Sequence, residues 1–213
     1  MTEDKGAWRR AVRRARRERL EAQGPVARAA EADALAAHGM RWLRRGRSEH
    51  GLPRCVTAYD AMPTEPPVEI LVAQLHEAGV RVLVPITLGE GRLRWRDADP
   101  EVRADPLRPH EHDGPSFGAE ILPVVDAALL PALAVGADGT RLGQGGGYYD
   151  RWVPALREVR PDAEVIGVVY GGESGGDVPR APHDIRVDAV LSPDGARAVT
   201  RPGSASAEPA STP

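Results

Sequence analysis

Between Glu3 and Ala22, the apolar residues Trp8, Ala11, Val12 and Ala15 fall at i, i+3, i+4 and i+7, the repeat of one helical face. At about 100° per residue, Lys5, Arg9, Arg13 and Arg16 gather within about 80° on the flank of that face. A cationic stripe therefore borders the buried one, either solvated or turned toward an anion. A second helix is expected to start at Pro25, a favourable first-turn residue after Gly24, and to stop near Gly46. The pattern then predicts a strand over Arg54 to Tyr59, a helix over about Pro67 to Ala78, and a β-branched strand over Val80 to Ile86. This β-α-β order implies parallel strands. After a short RLRWR strand the pattern weakens into a proline- and acid-rich loop reaching about Asp113. The run AALLPALAV, Ala127 to Val135, reads as one strand buried on both faces. A glycine-rich segment follows, then a helix through about Val159 and short strands over Val165 to Tyr170 and Val187 to Leu191. Residues 1–200 are expected to form one α/β domain, and 201–213, which include SASAEPASTP, a disordered tail.

Composition narrows the picture in three places. The net charge of -3 argues against a dedicated nucleic-acid partner. No run approaches the length of a membrane span, and the charged N-terminus does not resemble a signal peptide, so a cytoplasmic protein is expected. Cys55 is the only cysteine, which excludes an internal disulfide and fits a reducing compartment. No exposed apolar stripe calls for a partner, so a monomer is expected. Of 28 basic residues only Lys5 is a lysine, which singles out that position in a chain that otherwise uses arginine.

The strongest candidate for chemistry is RLGQGGGYYDR, Arg141 to Arg151. Glycine loses more backbone freedom on ordering than any other residue, so the cluster implies a sharp turn or a close-lying ligand. It follows a buried strand and opens a helix, where α/β proteins present backbone N–H groups to anions. Gly145, Gly146 and Gly147 permit close approach, Arg141 supplies charge, and Asp150 falls in the first helical turn, in reach of a phosphate-bound metal. A tight structural turn is the competing reading. Neither the P-loop nor the dinucleotide pattern fits: no lysine follows the glycines, and Tyr148 occupies the place of the third glycine.

RLGQGGGYYDR closely resembles the RLGxGxGYYD motif of the 5-formyltetrahydrofolate cyclo-ligases, also called methenyltetrahydrofolate synthetases. Weaker similarities run in the same order along the chain: Lys5 with Arg9, the Met62-Pro63-Thr64-Glu65 segment before a helix, AALLPALAV with Gly139-Thr140-Arg141, and Pro179 through Asp188, containing His183-Asp184. The resemblance implies a three-layer α/β/α fold with a mainly parallel central sheet and adjoining nucleotide and folate clefts. It also implies a reaction in which ATP and 5-formyltetrahydrofolate, with Mg2+, give 5,10-methenyltetrahydrofolate, ADP and phosphate.

By the same resemblance, Lys5 and Arg9 would hold the ATP phosphates. Arg141, Leu142, Gly143, Gln144, Gly145, Gly146, Gly147, Tyr148 and Tyr149 would line the nucleotide, with Gln144 to Tyr148 also facing the folate. Arg141 and Tyr148 would be the catalytic pair, Asp150 and Asp184 the Mg2+ ligands, and His183 a structural neighbour. Glu65 would accept hydrogen bonds from the pteridine ring. Trp95 would stack on the folate or simply pack in the core. Two departures stand out. Gln144 replaces the Tyr or Arg frequent in the family, and the family's G-I-x-E-P-like segment has no clean counterpart, only Glu111 or Glu120. Two other readings keep the phosphate site: a folate- or nucleotide-binding protein without turnover, and a kinase or ligase for another small molecule.

Overall fold

Residues 4–45, 51–98, 114–182 and 184–200 are described by a computed structural model; Glu111, His183 and the tail 201–213 lie outside them. Helix α1 (Lys5–Ala22) is capped by Asp4, whose carboxylate accepts the Gly6 N–H at 2.8 Å, and α2 (Pro25–Arg44) starts on its proline. Then come β1 (Cys55–Thr57), α3 (Glu69–Glu77), β2 (Arg81–Leu88), β3 (Arg92–Asp97), β4 (Ala127–Pro131), β5 (Ala134–Val135) and β6 (Arg141–Leu142). The chain continues through α4 (Tyr148–Val159), β7 (Glu164–Val168), β8 (Ala189–Ser192) and β9 (Gly195–Ala198).

Seven strands form one sheet in the order β3-β2-β1-β4-β7-β8-β9. The five inner strands are mutually parallel, and β3 and β9 close the two edges antiparallel to their neighbours. Side chains alternate across the sheet. Ala127 and Leu129 join Val56, Val82 and Ile166 beneath Leu35, Leu43, Leu71 and Leu75 of α2 and α3. Ala128 and Leu130 point the other way, to Leu83, Val165, Val190 and to Val153 and Leu156 of α4. This is the expected three-layer α/β/α arrangement with a mainly parallel sheet.

The apolar run that reads as one strand is two. After Pro131 the chain leaves the large sheet, and β5 turns back on β6 as a separate two-stranded ribbon. A continuous apolar run carries no periodicity that could mark such a break. The ribbon brings Arg141 back to the end of β4, where its Nε and Nη2 both donate to the Pro131 carbonyl at 3.0 and 2.7 Å. The short edge strand β9 and the 3-10 turn Ala119–Val124 also lie outside the sequence reading. Trp95 is settled by packing: it is buried, with its ring centroid 4.7 Å from that of Trp152.

Cys55 is a core residue rather than a reactive thiol. Burial pushes its pKa up to about 11, against the opposing pull of Arg81. The native protein is therefore expected to resist alkylation at neutral pH and to take up one equivalent only after denaturation, which mass spectrometry before and after urea treatment would check. Labelling of the folded protein at the rate of a free thiol would contradict the burial.

Candidate active site

Strand order reverses about β1: from it the chain steps to β2 on one side and later to β4 on the other. In open α/β sheets the crevice beyond the carboxyl ends of strands at such a reversal is where ligands bind. A cleft of about 220 Å³ lies there. It is lined by Tyr59 and Asp60 beyond β1, Pro85 and Thr87 in the second half of β2, and Pro131 at the end of β4. Met62, Glu65, Arg141 and the segment Gly143 to Asp150 complete the lining.

The glycine-rich segment is shaped by two requirements. Gly145 and Gly147 have φ of +108° and +68°, so the chain enters α4 through a left-handed residue that side chains disfavour. Gly143 answers a different need, because the Arg141 guanidinium runs beneath it and would meet a Cβ there at 2.7 Å. The loop thus lies over a buried cation and leads into the N-terminus of a helix, a favourable setting for an anion.

Arg141 is only 5% exposed. Burial draws its pKa down from the usual arginine value, and Asp150, Tyr149, Glu65 and Asp184 act against that shift, Asp150 most strongly. Acids separated by up to 119 positions in the chain therefore surround one guanidinium. The Tyr149 ring lies 5.0 Å from that guanidinium, and burial pushes its hydroxyl pKa far above the ordinary range, so Tyr149 stays a phenol at neutral pH. Glu65 is fixed by its own turn: its N–H donates to Met62 O at 2.8 Å and its Oε2 accepts the Met62 N–H at 3.2 Å. With 3% exposure it presents a held carboxylate at the cleft wall.

The cationic stripe of α1 is docked, not solvated. Lys5 Nζ donates to both carboxylate oxygens of Asp184, at 2.6 Å to Oδ1. Arg9 Nε donates to Gly143 O at 2.9 Å, and Arg13 donates to Gln144 Oε1 and Gln144 O at 2.9 and 2.7 Å. Arg16 is buried, whereas Ala11 and Ala15, expected on the apolar face, are exposed. The helix is rotated because the loop and the sheet ends offer more acceptors than apolar surface; only Trp8 and Val12 pack on Leu133, Ala134 and Leu142. Leu142 accordingly contributes its side chain to that small apolar cluster.

Most sequence-derived candidates converge. Glu65, Arg141, Gly143, Gln144, Gly145, Gly146, Gly147, Tyr148, Tyr149 and Asp150 line the cleft. Lys5, Arg9 and Asp184 lie outside the cleft lining, where Lys5 pairs with Asp184 and Arg9 holds the carbonyl of the loop's Gly143. Glu120 is exposed in the 3-10 turn and also lies outside the lining. The sequence reading passed over Tyr59, Asp60, Pro85 and Thr87, whose signal was positional: each lies just beyond a parallel strand or in its second half, next to the reversal. Asp60 is itself gripped by the buried Arg96 at 2.7 Å.

The carboxylates that the sequence reading assigned to a divalent cation are Asp150 and Asp184. Both are hard carboxylates acting on the same guanidinium, and Asp184 already holds a cation, the Lys5 ammonium. Among the described residues no three His, Cys, Asp or Glu side chains cluster as a cage. The set thus fits an ion that takes the rest of its shell from phosphate oxygens and water, as magnesium does.

Fold and site together describe an α/β protein with a glycine loop at a helix N-terminus beside a buried acid. The chain belongs to the 5-formyltetrahydrofolate cyclo-ligase family, whose sequence pattern it matches over residues 1–193. It is 36% identical over 146 residues, covering 66% of this chain and 74% of the relative, to a 5-formyltetrahydrofolate cyclo-ligase of Mycolicibacterium smegmatis. An Escherichia coli K12 protein of the same name is 28% identical over 58% of this chain and 69% of its own length. The fold resembles that of the 5,10-methenyltetrahydrofolate synthetase of Mycoplasma pneumoniae, with a TM-score of 0.66 and 19% identity over 89% of this chain and 99% of the other. A synthetase of that name from Aquifex aeolicus gives a TM-score of 0.64 and 20% identity over 94% and 95%.

Proposed function

We propose that this protein converts 5-formyltetrahydrofolate to 5,10-methenyltetrahydrofolate at the expense of ATP, with Mg2+, as a cytoplasmic monomer with no nucleic-acid partner. One observation carries the reading: a buried acid, Glu65, and the arginine–glycine loop that ends at Asp150 line a single cleft at the sheet reversal. Among the described residues no helix is long and apolar enough to cross a membrane, which is compatible with that location.

An amide oxygen is a poor leaving group, so it must first be activated. The formyl oxygen takes the γ-phosphoryl group and ADP departs. The substrate's aniline nitrogen then attacks the activated carbon and loses its proton as inorganic phosphate leaves and the ring closes. Such transfers depend on positioning and charge neutralisation more than on a strong base. Arg141, buried beneath the loop, neutralises charge growing on the transferred group, and Tyr148, which lines the same cleft at the helix start, assists it. Lys5 and Arg9 bind the remaining phosphates, and Glu65 orients the pteridine by accepting its N–H groups. Magnesium, when bound with the nucleotide, contributes further positive charge, and Asp150 and Asp184 would hold it.

The test is to mix the purified protein with 5-formyltetrahydrofolate, ATP and Mg2+ and follow the near-ultraviolet absorbance of the methenyl product. Product formation that requires both ATP and Mg2+, and that Asp150→Ala abolishes, is the expected result. Tight binding of both ligands without product would make the protein a binder instead. Turnover of ATP onto another acceptor would keep the phosphate site and remove the folate.

A further inference from the structure

We propose that Arg13, which is absent from the cleft lining, is a positioning residue for the reduced folate, acting through the amide of Gln144 on the carboxylate of Glu65. This rests on the folate reading above. Arg13 grips Gln144 twice, with Nε on the side-chain Oε1 at 2.9 Å and Nη2 on the main-chain carbonyl at 2.7 Å. From the other end of the same amide, Nε2 donates to Glu65 Oε1 at 3.1 Å. The three residues thereby form one continuous chain of hydrogen bonds from α1 to the cleft wall.

The chemistry of the two ends fixes the middle. Arginine has only donors and an ionised carboxylate only acceptors, so an amide between them satisfies both in one orientation alone. Holding Gln144 by its side chain and backbone together also removes the rotamer freedom that would let the amide swing away.

The interposed amide matters for what the substrate finds. A carboxylate offers about four acceptor positions. Met62 N–H and Gln144 Nε2 use two, one on each oxygen, leaving about as many for the N–H groups of a pteridine. A guanidinium placed directly against Glu65 would tend to cover both oxygens in a fork and compete with the substrate. A neutral amide passes on the orienting effect of Arg13 and leaves the acid available. Gln144, bonded to Arg13 at one end of its amide and to Glu65 at the other, is the residue that makes this arrangement possible.

The test uses the full-length protein as wild type, Arg13→Ala, Arg13→Lys, Gln144→Ala and the Arg13→Ala/Gln144→Ala pair, with KM for 5-formyltetrahydrofolate and for ATP measured separately. Arg13→Ala is expected to raise the folate KM about tenfold while the ATP KM stays within about twofold. Arg13→Lys should recover part of the loss, since a single ammonium replaces only part of the fork. The double variant should match Gln144→Ala rather than multiply the two effects. A rise in ATP KM with folate KM unchanged, or independent effects that multiply, would overturn the proposal. Should Arg13→Ala not fold, Gln144→Ala with Arg13→Lys reads the same coupling.

A second readout needs no substrate. The chain has three glutamines, Gln23, Gln74 and Gln144, so selective isotope labelling gives three side-chain amide pairs in an NMR spectrum. One pair should exchange slowly in the wild type and lose that protection in Arg13→Ala. An intact relay in a wild type that does not bind 5-formyltetrahydrofolate would overturn the folate reading, and with it the relay's role. Folate binding that is unaltered by loss of the relay would overturn the relay alone.

Discussion

Arg141→Met is expected to lower turnover by at least about a thousandfold at saturating ATP and folate, the scale on which an arginine at a transferred phosphoryl group operates. Methionine matches the length of the stem but removes the charge. In the native protein that charge is buried beneath the glycine loop, facing Asp150, Glu65 and Asp184, with two of its N–H groups on Pro131 O. The effect should therefore fall on kcat and kcat/KM alike, as for an interaction that strengthens in the transition state. Arg141→Lys is informative beside it. An ammonium restores the charge without the planar fork, so it should recover a fraction of the rate, short of the wild-type value. Thermal melts of both variants separate lost chemistry from a collapsed loop. A folded Arg141→Met enzyme turning over within about tenfold of wild type would reduce Arg141 to a strut between the ribbon and β4.

The architecture was legible in the sequence because its signals are local and repetitive. Parallel strands separated by a helix, a proline opening α2 and the β-branched run of β2 each announce themselves. The centre of the site was legible too, since Arg141 through Asp150 is contiguous and glycine places it. The cleft's other residues were harder. Asp60, Pro85 and Thr87 become neighbours only when β1 and β2 align in parallel, and no spacing in the chain encodes that register. The rotation of α1 was hidden for a different reason. Periodicity treats arginine as a solvent-facing residue, yet Arg16 is 3% exposed because acceptors far along the chain meet it. A sequence window holds the donor but none of the acceptors.

Arg16 consequently carries the second large expectation. Its Nε and Nη2 bind the two oxygens of Glu173 at 2.8 and 2.7 Å, and Nη2 also donates to Ala132 O at 2.6 Å, just past the break after β4. The guanidinium lies 5.3 Å from the Tyr170 ring, and Tyr170 N–H donates to the same carboxylate at 2.8 Å. Arg16→Ala leaves a mostly buried Glu173 with only backbone support, and removing one partner of such a pair costs about 3 kcal/mol. Against a total stability of about 5–15 kcal/mol for a domain, this should appear as a large drop in the urea midpoint. Function should suffer in a specific way. Because α1 has little apolar surface to dock with, loosening Arg16 frees the helix that positions Lys5 on Asp184 and Arg9 on the loop, so the ATP KM should rise even well below the unfolding transition. Adding Glu173→Gln removes the stranded charge and should restore part of the stability without restoring the ATP KM, since the helix still lacks its anchor. If stability and ATP KM instead recovered together in the double variant, the pair would serve the fold alone, and the docking of α1 would rest on Lys5, Arg9 and Arg13.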